Sequence, residues 1–151
     1  MALASAVLWI YSLIKPQGRF PREHLLTVTM AGVFLGCHFA CFFSAVKLTS
    51  IANATILGTV APVFTVIIEA FFLKRKLFKQ VLFGVFFALA GALVIHSGGG
   101  SFLENNTFGS ALALLGSFFI ALVFILAEKI RRNTSTVIYC RTLYFSASCA
   151  L

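Results

Sequence analysis

Two residues capable of chemistry stand out within the apolar stretches of this 151-residue chain, Glu69 and His38. Glu69 is the one formally charged residue inside four long apolar runs. On a helix it shares a face with Thr55, Thr59, Pro62 and either Thr65 or Val66, so that face is a polar stripe. A charged side chain in mid-membrane costs about 2.5 to 3.5 kcal/mol on insertion scales, so the stripe is expected to face a bundle interior or a water-filled cavity. Glu69 then reads either as a cation or proton site, or as a capped or protonated carboxyl near the interface, within reach of Lys74 or Arg75. His38 lies near the middle of another run. Imidazole changes charge near neutral pH, which suits a proton-coupled carrier; the plainer alternative is a neutral ring bonded to a neighbouring helix. Pro62 interrupts its helix in mid-membrane, where freed carbonyls bend the helix or line a cavity. Cys37, His38 and Cys41 are close in sequence, but adjacent helical positions point about 100° apart and no fourth ligand is visible. No metal, no cofactor and no disulfide framework is expected. No nucleophile with a base, no paired catalytic carboxylates and no phosphate-cradling glycine loop occurs, so no catalytic residue is assigned and no enzymatic activity is expected.

The elements that hold these residues follow from composition. The chain is 60% hydrophobic and 11% charged, with 18 Phe, and no polar shell could enclose so much apolar surface around one soluble core. Its mean hydropathy of +1.02 places it in a membrane. Runs 28 to 46, 51 to 73, 80 to 97 and 109 to 127 are each long enough to cross a hydrocarbon core of roughly 30 Å. Residues 1 to 14 fall about six short of a span, and 137 to 151 stop while still apolar, so both read as cut spans. The expected fold is all-α, a polytopic transmembrane bundle of four complete spans and two truncated ones.

A net charge of +8 suggests nucleic acid in a soluble protein, but in a membrane protein it reports orientation. Ten of the twelve cations fall in loops 15 to 24, 74 to 79 and 128 to 133, and Lys47 is alone on the opposite side. Arg141 sits in the last, truncated segment. The connection 98 to 108 has no Lys or Arg and contains Gly98-Gly99-Gly100 and Glu104-Asn105-Asn106. The three basic loops are therefore expected inside and 98 to 108 outside, with no nucleic-acid partner. The short turn from Lys47 to Ser50 requires the runs on either side to pack as an antiparallel hairpin. Helices in lipid touch where small residues allow close approach, and three such stripes recur: Gly32, Gly36, Ala40 and Ser44; Gly84, Ala88 and Ala92 beside Gly91; Gly109, Ala113, Ser117 and Ala121. They predict a compact bundle and say nothing of a substrate.

The run from His38-Phe39 to Ala45, then Ser50-Ile51-Ala52-Asn53-Ala54, Ala61-Pro62-Val63-Phe64-Thr65 and Phe72-Leu73-Lys74, with Gly84 and Gly91 seven apart, resembles the EamA-like branch of the drug/metabolite transporter superfamily. The resemblance covers roughly residues 1 to 145. It implies ten helices in two inverted repeats, with residues 1–100 the end of the first repeat (helices two to five) and 101–151 the start of the second (helices six and seven). Arg141 would match an Arg that opens the second helix of each repeat. Where relatives often carry a Gly-Glu-Arg-Leu-like turn, this chain has Lys74-Arg75-Lys76-Leu77, so no role carries over from that Glu. His38, Asn53, Thr55, Thr59, Pro62 and Glu69 are the candidate residues for binding substrate or lining its cavity, and Gly32, Gly36, Gly84, Gly91 and Gly109 the candidate helix-packing positions. The implied function is that of a secondary transporter, or part of one, moving a small metabolite or drug-like solute across the plasma membrane, with a proton or another ion as coupling partner. Homo-oligomerisation or complementary helices would complete the cavity. The competing expectations are a non-transporting membrane scaffold or split-gene remnant, and a self-assembling half-sized carrier.

Overall fold

The computed structural model describes residues 6–11, 24–76, 78–97, 107–131 and 136–150. Most of the basic loop 15 to 24, the connection 98 to 106 with its glycines, and Arg132 and Asn133 of the third basic loop lie outside the described residues. Among those described there is no strand, and the fold is all-α. The helices are α1 (Leu25–Leu48), α2 (Ile51–Gly58), α3 (Ala61–Phe71), α4 (Lys79–Ser97), α5 (Thr107–Arg131) and α6 (Thr136–Ala150), with residues 6–11 also helical. Leu25–Leu48, Ile51–Phe71 and Thr107–Ile130 are long and apolar enough to cross a membrane. In α4 the apolar stretch is shorter, Lys79–Gly91.

The expected span 51 to 73 is two helices because of Pro62. Its nitrogen has no hydrogen for the Gly58 carbonyl, and its ring crowds that same carbonyl four residues back, so α2 ends at Gly58. The chain turns through Thr59 and Val60 with tighter bonds, Thr59 N–H to the Ile56 carbonyl (3.0 Å) and Val60 N–H to that of Leu57 (3.3 Å). It then restarts as α3 with Pro62 in the first turn, where a missing N–H costs nothing.

The described chain forms two compact units. In the unit His38–Ala121, α1 turns back into α2 through Thr49 and Ser50, and Ser50 caps α2 by accepting from the Asn53 N–H at 3.2 Å. Ala45, Ala54 and Ala113 form its core, and Phe42, Val46, Leu57 and Leu112 pack around them. Close approach is made by small residues, as dispersion-driven packing in lipid requires. A Cβ on Gly109 would lie 3.0 Å from that of Leu48, and one on Gly58 3.3 Å from the Phe42 ring. Phe64 of α3 meets Phe118 of α5 edge to face at 5.8 Å, and α4 packs against α2.

The other unit comprises Met1–Cys37 and Leu122–Leu151. Val28, Ala31, Ile130 and Ala147 are fully buried in it. A Cβ on Gly32 would collide with that of Ser146 and lie 2.9 Å from the Leu143 carbonyl, so α1 and α6 cross there backbone to backbone. Arg141 stacks over the Trp9 ring at 4.4 Å, a cation–π contact.

Candidate functional site

Three polar links inside the His38–Ala121 unit converge on the small-residue face of α5. His38 places Nδ1 2.9 Å from the Gly116 carbonyl. A carbonyl only accepts, so Nδ1 carries the hydrogen and Nε2 is the ring atom that remains to accept or bind a proton. Phe39 packs edge-on and Phe42 stacks against the imidazole, with centroids at 5.0 and 6.2 Å. A Cβ on Gly116 would come within 3.4 Å of the His38 carbonyl, so only a small residue lets the ring reach this partner.

Asn53 is the second link. It is buried, and its Nδ2 donates to Thr49 Oγ1 at 3.0 Å and Ser110 Oγ at 2.7 Å, tying the start of α2 to the start of α5. The third comes from the break before Pro62. The Leu57 carbonyl, which an unbroken helix would commit to Ala61, accepts the Ser117 hydroxyl at 2.5 Å. Ser117 is fully buried and also lies 3.2 Å from the Ala113 carbonyl.

The predicted polar stripe is arranged differently. Thr55 and Thr59 are exposed, and their hydroxyls bond back to the Ile51 and Ile56 carbonyls, each at 2.7 Å. Thr65 bonds back to Ala61 at 3.0 Å, and Pro62 is exposed. Glu69 is half-buried near the end of α3. There Arg75 Nη1 meets its Oε1 at 2.9 Å, and the Arg75 N–H donates to its carbonyl at 3.0 Å. Lys74 supports this clasp in the left-handed region (φ 50°), a conformation glycine adopts more readily. The structure thus brings His38 and Asn53 onto α5 and gives Glu69 to Arg75. It does not gather Thr55 and Thr59 with either group.

Among the described residues no three His, Cys, Asp or Glu side chains converge as metal ligands, and none of the four cysteines is in a disulfide. Gly36 is buried, whereas Cβ atoms built on Gly84 and Gly91 meet nothing within 4 Å. In the other unit a cleft of about 430 Å³ lies between Thr29 and Val33 of α1 and Thr142, Phe145 and Ser146 of α6. Sequence reasoning placed Ser117 only in a packing stripe and missed Ser110 and Gly116. The available signal was a hydroxyl among small residues in mid-span, which in lipid commonly bonds across helices.

Comparison with known proteins agrees with this architecture. The model of the EamA-like transporter family matches residues 1–97. An uncharacterised transporter of Archaeoglobus fulgidus is 33% identical over 129 residues, 84% of this chain and 43% of the relative. Solute carrier family 35 member G1 of Mus musculus is 35% identical over 75 residues, 50% of this chain and 20% of the relative. The pseudopaline exporter CntI of Pseudomonas aeruginosa is 28% identical over 93 residues, 61% of this chain and 33% of the relative. The chain therefore spans less than half the length of each of these relatives. With apolar helices long enough to cross a bilayer and a family match over most of its length, this chain is a membrane protein that belongs to the EamA-like transporter family.

Proposed function

We propose that this chain takes part in the secondary transport of a small metabolite or drug-like solute across the plasma membrane, with a proton as the coupling ion. The observation that carries the reading is the EamA-like match over residues 1–97; relatives named as an exporter and a solute carrier support a small-solute cargo. Residues 1–100 belong to one inverted repeat and 101–151 to a second, within a ten-helix arrangement. Alternating access in such folds rocks two repeats about a site at their interface, so a second copy or complementary helices complete the cavity. His38, Asn53, Thr55, Thr59, Pro62 and Glu69 supply its polar lining from this chain. His38 Nε2 and the Glu69 carboxylate are the groups that exchange the coupling proton, and a cationic solute reaches Glu69 by displacing Arg75.

The test is flux and binding by the purified chain in proteoliposomes with an imposed proton gradient. The panel is amino acids, nucleoside derivatives and cationic drugs. Alone, the chain is expected to insert, to be stabilised against heat by at least one solute class, and to give no saturable uptake. Binding to the native state raises the unfolding midpoint by mass action, so a panel that shifts nothing would favour a non-transporting scaffold. Saturable uptake abolished by Glu69→Gln would instead identify a self-assembling half-sized carrier.

A further inference from the structure

We propose that the start of α4 is a binding site for an anionic phospholipid. The helix opens a groove of about 640 Å³ lined by Lys79, Leu82, Phe83 and Phe86. These residues follow at intervals of three and four, so they form one stripe running about 10 Å down the helix, with the cation at its head and only apolar groups below. The volume lies within the 300 to 1,000 Å³ typical of small-molecule sites. Phe83 and Phe86 are 63% and 66% exposed, and Phe78 just before the helix is 74% exposed. In a bilayer acyl chains cover this aromatic surface, so an anion held at the cation meets them at the same place. An amphiphile with a charged head and an acyl chain covers both.

Charge complementarity selects an anionic headgroup. Lys74, Arg75, Lys76 and Lys79 lie within six residues, all exposed, and between Glu69 and Glu104 the sequence contains no acidic residue. Glu69 is already engaged by Arg75, and the first turn of α4 carries no acid. Among the described residues, therefore, Lys74, Lys76 and Lys79 present positive charge that no carboxylate pairs with. Clusters of this kind beside a membrane helix attract anionic lipid by about 1 kcal/mol per cation, or roughly fivefold each. The cations bind the phosphate, and the acyl chain lies along Leu82, Phe83 and Phe86. This inference rests on the chain's being a membrane protein and is independent of whether it transports anything.

The experiment measures the motionally restricted fraction of spin-labelled phosphatidylglycerol and phosphatidylcholine around the purified chain in phosphatidylcholine bilayers. Phosphatidylglycerol is expected to be preferred several-fold. The preference should shrink in Lys79→Gln and approach unity in Lys76→Gln/Lys79→Gln and at molar salt, while Lys79→Arg retains it. Phe83→Ala/Phe86→Ala should reduce restriction of a label placed along the acyl chain. Helicity by circular dichroism reports that each variant is folded. Equal association of the two lipids, or a loss in Lys129→Gln as large as in Lys79→Gln, would overturn the site. So would a groove inaccessible to both lipids because a second copy of the chain covers it.

Discussion

At the scale of single residues, the same glycine has opposite consequences according to what faces it. Gly109 lies against Leu48 and Thr49, where any Cβ is tighter than ordinary contact allows, whereas Gly84 faces open space. Gly109→Val is expected to lower unfolding free energy by about 1 to 3 kcal/mol, the usual cost of overpacking, and Gly84→Val to stay within about 0.5 kcal/mol. Reversible unfolding in mixed micelles measures both, and equal losses would contradict the helix contacts described above. Four-residue spacing made these glycines visible in the sequence, but spacing does not reveal which stripe has a partner. For His38, sequence left two readings. The bond to Gly116 satisfies Nδ1, and the proton role of Nε2 is a matter for the flux experiment. The partner of Asn53 was not legible, because Ser110 lies 57 residues away and nothing local marks the pair. Arg75 was one of two expected partners for Glu69; its reach depends on a left-handed residue at Lys74, which no pattern of residue types at that position announces.

At the scale of elements, the apolar runs located the helices to within a few residues, because burial in lipid demands an unbroken length of apolar chain. The division of the 51 to 73 run at Gly58 was signalled by Pro62, but the use made of the break was not. At the break before Pro62 the Leu57 carbonyl accepts from the Val60 N–H and from Ser117 in place of Ala61, so Pro62 and Ser117 should be energetically coupled. Ser117→Ala is expected to cost about 0.6 to 1.7 kcal/mol in the parent, from the average to the largest value measured for hydrogen bonds between membrane helices. In a Pro62→Ala background the Ala61 N–H competes for the same carbonyl, and the cost should shrink. A double-mutant cycle reads the difference directly. A coupling of zero would mean that the break is held by packing alone, with Phe64 against Phe118 as the principal contact.

At the scale of the whole molecule, the distribution of charge predicts orientation. Loops 74 to 79 and 128 to 133 are expected on the cytoplasmic side and 98 to 108 outside, given ten cations on one side against Lys47 on the other. In a background without native cysteines, single cysteines at positions 77 and 101 placed in intact cells distinguish the two faces. An impermeant maleimide should label position 101 and spare 77, and the reverse pattern would invert the topology. The three polar links on α5 also impose an order in time. Their partners are separated by 78, 57 and 60 residues. At ribosomal rates of about 5 to 20 residues per second, His38, Asn53 and the Leu57 carbonyl therefore wait about 3 to 16 s between their own synthesis and that of the groups that satisfy them. During that interval α1 and α2 carry unmet hydrogen-bonding demand, at a cost that hydrocarbon does not relieve. The His38–Ala121 unit consequently closes only after its last helix has been made, and until then its first two spans depend on whatever the insertion machinery provides in place of α5.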